Sequence, residues 1–188
     1  MIYIGIDPSI NSTGVCVGGV CNHYYFITSK MTKKMKAFSH SYITYLPYNK
    51  PDHTNLEYSE KENVKFNNIL NICNHIYNII TTLIQDNSES DIEVYMEGVS
   101  YGSTGSAALV DLCFLNSAIR MTLRQLDVKF TIVSPTSLKK FECANGQADK
   151  SVMIDAWKRM DKNISSVSDV KIDDLADSYF LSRYYNIK

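Results

Sequence analysis

Branched and aromatic residues alternate with smaller or polar ones through "MIYIGID", resume in "STGVCVGGV" and continue in "HYYFIT". Alternation with a period of two over such short runs predicts strands, and Gly18, Gly19 and Asn22 supply turns between them. The chain therefore opens with three consecutive strands joined by hairpins. From Lys61 to Gln85 the rhythm changes, because Ile69, Ile72, Ile76, Ile79, Ile80 and Leu83 recur at intervals of three and four. That spacing is one face of a long helix. "DIEVYMEGV" reads as a buried strand ending at Glu97, "GSTGSAALVDLCFLNSAIRMTLRQL" as a loop feeding a second helix over 105–126, and "VKFTIVSP" as another strand. Ser134 and Pro135 suit the N-cap and first turn of a short helix. Two further helices are predicted over 149–161 and 173–186, the last amphipathic. This order predicts an α/β fold: a mixed five-stranded sheet, three antiparallel strands followed by two parallel ones, flanked by helices.

Residues 28–60 lose all periodicity, carry Pro47 and Pro51, and mix the basic run "SKMTKKMK" with tyrosines. They read as an extended excursion from the sheet. With no repeat and no dividing linker, 188 residues suit a single domain over 1–188. A hydrophobic fraction of 45% with 21% charged residues is that of a soluble protein, and no apolar run is long enough to span a bilayer. No membrane association is expected. The amino terminus lacks the features of a secretory signal, so a cytoplasmic location is expected. The five cysteines form no C-x-x-C pair and mostly sit among apolar neighbours, as reduced core thiols do. The four histidines are scattered without the spacing of a zinc site. A net charge of -1 neither advertises nor excludes a nucleic-acid partner, because an acidic centre masks a basic face in the sum.

The candidate chemistry is acidic. Asp7 ends the first strand where Pro8 and Asn11 turn the chain, and Glu97 ends a later strand just before Gly98. Ligands of open α/β sheets bind at that end of the strands. Asp174 and Asp177 stand three apart, on one face of the last helix, where like charges repel unless something neutralises them. Each acid also has a plain structural account: Asp7 in an Asx-turn, Glu97 at a solvated strand end, Asp173 and Asp174 as first-turn helix acids. Taken together, carboxylates on three converging elements suit hard cations such as magnesium, and two such ions activate water for phosphodiester cleavage.

"IGIDPSINSTGVCV", "VYMEGV", "VSPTSLKKFECANGQADKSVMIDAW" and "DDLADSYFLSRYY" resemble, in that order, the conserved blocks of the RuvC-like Holliday junction resolvases of the ribonuclease H superfamily. The resemblance covers nearly the whole chain except residues 28–60. It implies a ribonuclease H-like fold and a magnesium-dependent, structure-selective endonuclease that resolves four-way junctions by paired nicks, with manganese able to substitute. Asp7 would bridge two metal ions, Glu97 would hold one, and Asp174 with Asp177 the other; Asp173 would cap the helix. Lys139 and Lys150 would contact the scissile strand or support the site, although solvated helix lysines read equally well. The sequence departs from the family at Ser9, where glycine is usual, at Ser178, where alanine is, and at Asp174, where some members have histidine. The family works as a homodimer, and helices 61–86 and 105–126 are the candidate interface. The abundance of Asn, Ile, Lys and Tyr suits an AT-rich genome, and a compact resolvase of this kind suits a virus or phage.

Branched DNA binding requires basic groups near the acids. The candidates are Lys30, Lys33, Lys34 and Lys36, then Arg120, Arg124, Lys139, Lys140 and Lys150. In the loop "EGVSYGSTGS", amides near Ser103 can reach a phosphate and Tyr101 can stack on an unpaired base. No Gly-Lys-Ser or Gly-Lys-Thr follows, so the loop is not a P-loop. Two rivals remain at this point: a non-catalytic branched nucleic-acid binding module on the same scaffold, and an actin-like ATPase, for which no second phosphate motif appears.

Overall fold

The computed structural model describes residues 1–19, 21–30, 32, 42–49, 51, 55–87, 91–100, 106–143, 149–164 and 173–187. Six strands, β1 (Ile2–Asp7), β2 (Ser12–Gly18), β3 (His23–Thr28), β4 (Ile43–Pro47), β5 (Ile92–Glu97) and β6 (Lys129–Val133), form one sheet in the order β4-β3-β2-β1-β5-β6. β1, β2 and β3 pair antiparallel, while β5 and β6 run parallel to β1. The helices are α1 (Tyr58–Asp86), α2 (Ser106–Gln125), α3 (Pro135–Cys143), α4 (Lys150–Met160) and α5 (Asp173–Arg183).

This is the expected mixed α/β layering with one addition. The segment expected to leave the sheet contributes β4, which pairs in parallel with β3 from Tyr24↔Ile43 to Thr28↔Pro47. Its five residues carry no clean alternation, because an edge strand packs only part of each face. Just beyond it, the Tyr48 hydroxyl bonds the Ile10 carbonyl and so ties this segment to the β1–β2 turn.

Strand alternation divides the core in two. Ile4, Ile6, Val15, Ile27, Val94 and Met96 pack against Ile69, Ile72, Ile76 and Ile80 of α1 and Leu115, Ile119 and Leu123 of α2. On the opposite face, Cys16, Tyr24, Phe26 and Tyr95 meet Leu138 of α3, Trp157 of α4 and the apolar residues of α5. Because side chains alternate along a strand, Asp7 shares the second face with Gly5, and Glu97 shares it with Tyr95. That face belongs to α5.

Helix α5 is not amphipathic as expected. Leu175, Ala176, Ser178, Tyr179, Phe180, Leu181 and Ser182 are all buried, since the sheet lies on one side and α4 on the other. It reaches the sheet at two glycines. A methyl group at Gly5 would overlap the Ser178 carbonyl oxygen, and one at Gly14 would overlap the Asp174 carbonyl. Beneath α4, the Tyr24 hydroxyl (2.6 Å) and the Asn22 amide (2.8 Å) donate to buried Asp161, and the Trp157 indole donates to the Tyr24 oxygen at 3.0 Å. This closed network satisfies each polar group named, as burial requires.

Ser134 caps α3 as expected, its hydroxyl accepting from the Ser137 amide at 3.1 Å. Among the cysteines whose side chains are described, one departs from expectation: Cys16 and Cys73 are buried and Cys113 is half-buried, but Cys21 is exposed in the turn after β2. No helix among the described residues is long and apolar enough to cross a membrane.

Candidate active site

The register that pairs Ile6 with Met96 in parallel carries Asp7 and Glu97 to the same end of neighbouring strands. Asp7 is only 5% exposed. The turn behind it is held by Thr13, whose hydroxyl accepts from the Ser9 amide (3.2 Å) and donates to the Ser9 carbonyl (2.7 Å). Among the described residues only Asp127 has a positive φ, so Ser9 stands in a backbone conformation that does not call for the usual glycine. The end of β5 is pinned twice. The Gly98 amide donates to the Val133 carbonyl at 2.7 Å, and the Asn116 amide of α2 donates to the Glu97 carbonyl at 3.0 Å.

Asp174 and Asp177 reach this point from the first two turns of α5. The Asp7 carboxyl lies within hydrogen-bonding reach of both Glu97 and Asp174, which puts it between the other acids. Burial raises its pKa well above the ordinary carboxylate range, and the charges of Glu97, Asp177 and Asp174 raise it further. Burial likewise pushes Asp177 up to about 8, reinforced by Glu97 and Asp174, and Asp174 up to about 6. The shift is smaller at Asp174 because the Ser12 hydroxyl donates to its Oδ2, a bond to the charged form. Glu97 is raised by burial, opposed by its contact with Asp7 and by the nearby charges of Lys139 and Lys150.

The structure thus brings Asp7, Glu97, Asp174, Asp177, Lys139 and Lys150 together. Lys140 is exposed next to Lys139, and Arg124 is exposed at the end of α2, with Arg120 half-buried on the same helix. Lys33, Lys34, Lys36, Tyr101 and Ser103 lie outside the described residues. Asp173 does more than favour the positive end of a helix: it forms an ion pair with the Lys150 ammonium. Ser178 satisfies its buried hydroxyl on the Leu175 carbonyl at 2.8 Å, so that departure costs the helix no unpaired polar group.

Sequence reasoning missed Ser12, Gly14 and Asn116. Gly14 had a signal in its place in the second strand. Ser12 and Asn116 had none, since their partners are distant in sequence.

In kind, the donor set fits a hard divalent cation, being carboxylate oxygens crowded into a buried corner. Burial and the neighbouring like charges raise Asp7 and Asp177, and a bound cation would lower them again. Among the described residues no group of three or more Asp, Glu, His or Cys side chains stands at the spacing of a finished ligand shell.

No protein-family model and no curated protein matches the sequence. Solved structures do. Thermus thermophilus RuvC in complex with a Holliday junction substrate superposes with a TM-score of 0.57 at 12% identity, over 99% of this chain and 94% of that one. The chain has the RuvC fold. A second Thermus thermophilus RuvC structure gives 0.54 at 12% identity over 97% and 91% of the two chains. The yeast mitochondrial Holliday junction resolvase gives 0.48 at 13% identity over 98% and 81%. In this RuvC fold, the corner where the carboxylates meet is the carboxyl end of parallel strands β1 and β5, the usual place for a ligand in an open α/β sheet.

Proposed function

We propose that the chain is a divalent-cation-dependent endonuclease for branched DNA, in particular a resolvase that opens four-way junctions by paired symmetric nicks. The observation that carries this reading is the meeting of Asp7, Glu97, Asp174 and Asp177, from β1, β5 and α5, in one buried corner of a RuvC fold. In this reading Asp7, Glu97, Asp174 and Asp177 would together hold the divalent cations, magnesium with manganese able to substitute. Cations bound there would supply the positive charge for water activation and for the leaving oxygen in hydrolysis to 5′-phosphate and 3′-hydroxyl ends. Ser12 holds one oxygen of Asp174 and so fixes the direction of the other. Lys139 and Lys150, whose charges act on Glu97, face the DNA strand to be cut, and Lys140 extends the basic rim.

Paired nicks need two such sites, which a two-fold homodimer provides. A cavity of about 480 Å³ between α1 and α2 is lined by Phe66, Ile69, Phe114, Ala118 and Met121. Phe66, Phe114 and Met121 are more than half exposed. A second copy of the chain, burying this apolar strip, is the occupant that the function calls for.

The test is incubation of the purified chain with labelled four-way junctions, flaps and forks in magnesium, manganese or chelator, with ends mapped on both strands. Cation-dependent nicks at symmetric positions on the junction are expected. Binding without a product in either metal would sink the nuclease and leave the binding module.

A further inference from the structure

Lys150 opens α4 and Asp173 opens α5, and their side chains join the two helix starts in an ion pair. The Lys150 side chain is 77% exposed and that of Asp173 17%. With its lysine this open to water, the pair adds little to stability. The fold has no need of it, because α4 and α5 are already joined through Trp157, Leu175 and Tyr179 in the core. What the pair does is positional. A lysine stem samples many rotamers, and a carboxylate partner selects among them. The ammonium selected here lies within electrostatic reach of Glu97, Asp174 and Asp177. Without Asp173, that attraction would draw it onto the oxygens of Asp174 and Asp177, which a cation needs.

We propose that Asp173 is a positioning residue that parks the Lys150 ammonium at the rim of the carboxylate cluster, off the oxygens of Asp174 and Asp177 and facing an incoming phosphate. This role rests on the nuclease reading above. It differs from the helix-end role that the sequence assigns to Asp173, which would act on stability alone.

The experiment compares wild type, Asp173→Asn, Asp173→Glu, Lys150→Ala and the Asp173→Asn/Lys150→Ala double variant. Single-turnover cleavage of a four-way junction in magnesium, junction affinity in chelator and melting temperature are measured for each. Asp173→Asn is expected to slow cleavage about tenfold with junction affinity and melting temperature unchanged. Asp173→Glu should regain most of the rate, and the double variant should be no slower than Lys150→Ala alone. Nitrogen NMR adds a readout that needs neither metal nor DNA: the side-chain nitrogen signal of Lys150 should shift in Asp173→Asn as the ion pair is lost. Losses that multiply in the double variant, or an ammonium signal indifferent to Asp173→Asn, overturn the proposal while the nuclease reading stands. A wild-type chain that cuts no branched DNA overturns both, and the NMR result then shows whether the ion pair itself was in place.

Discussion

Asp7 and Glu97 stand side by side because β1 and β5 run parallel in a register that pairs Ile6 with Met96, which brings the two carboxyl groups within hydrogen-bonding reach of each other. Two acids in this relation cannot both be ionised cheaply without a cation. Asp7→Asn and Glu97→Gln keep the shape and remove that demand. Each is expected to lower junction cleavage at least about 100-fold, the loss associated with disturbing a metal site. Junction affinity measured in chelator should change little. A variant that nicks at the wild-type rate removes that residue from the mechanism.

The same crowding sets a pH dependence in the metal-free protein. Asp177 is pushed up to about 8 and Asp174 up to about 6, mainly by burial. An unfolded aspartate titrates near 3.9, so between roughly pH 4 and 8 the folded chain holds protons that the unfolded chain has released. Stability from these groups is therefore fully present below about pH 4 and is lost as the pH rises through about 8. Thermal melts in chelator should show a falling midpoint from pH 5 to pH 8.5. Asp177→Asn should flatten the fall, and magnesium should reduce it. A midpoint that rises over this range would contradict the protonated cluster.

Helix α5 carries Asp174 and Asp177 to the site only because β2 presents no side chain at Gly14, where a methyl group would overlap the Asp174 carbonyl. Gly14→Ala is expected to cost at least about 2 kcal/mol, the scale of forced overpacking. Cleavage should fall even below the melting transition, since the displaced helix start moves both aspartates. Circular dichroism melts and single-turnover rates check both parts. A variant with normal stability and rate would mean that the helix start shifts without consequence.

The apolar strip on α1 and α2 gives a further prediction. The double variant Phe66→Ser/Phe114→Ser alters two exposed side chains and leaves the core intact. Sedimentation should show dimer for the wild type and monomer for the variant, and junction nicks should lose their pairing across the two strands. A wild type that sediments as a monomer at micromolar concentration would remove the homodimer from the proposal.

Much of the candidate site's placement was legible because it depends on local periodicities. Alternation in "YIGID" and "EVYME" already commits Asp7 to the face of Gly5 and Glu97 to the face of Tyr95, and a spacing of three commits Asp174 and Asp177 to one side of a helix. The closing turn after Asp7 and the Ser134 cap were likewise short-range matters, decided by neighbours within four residues.

Contacts with no local signature were decided by the tertiary structure alone. β4 joins the sheet through pairing with β3, not through its own pattern. α5 is buried on nearly every side because sheet and α4 enclose it, which its polar and apolar order did not announce. The Ser12 bond to Asp174 spans 162 positions and the Lys150 bond to Asp173 spans 23. A residue's repeat along the chain follows from the geometry of its own strand or helix; which distant side chain it meets depends on how those elements pack, and packing is settled by the whole core at once.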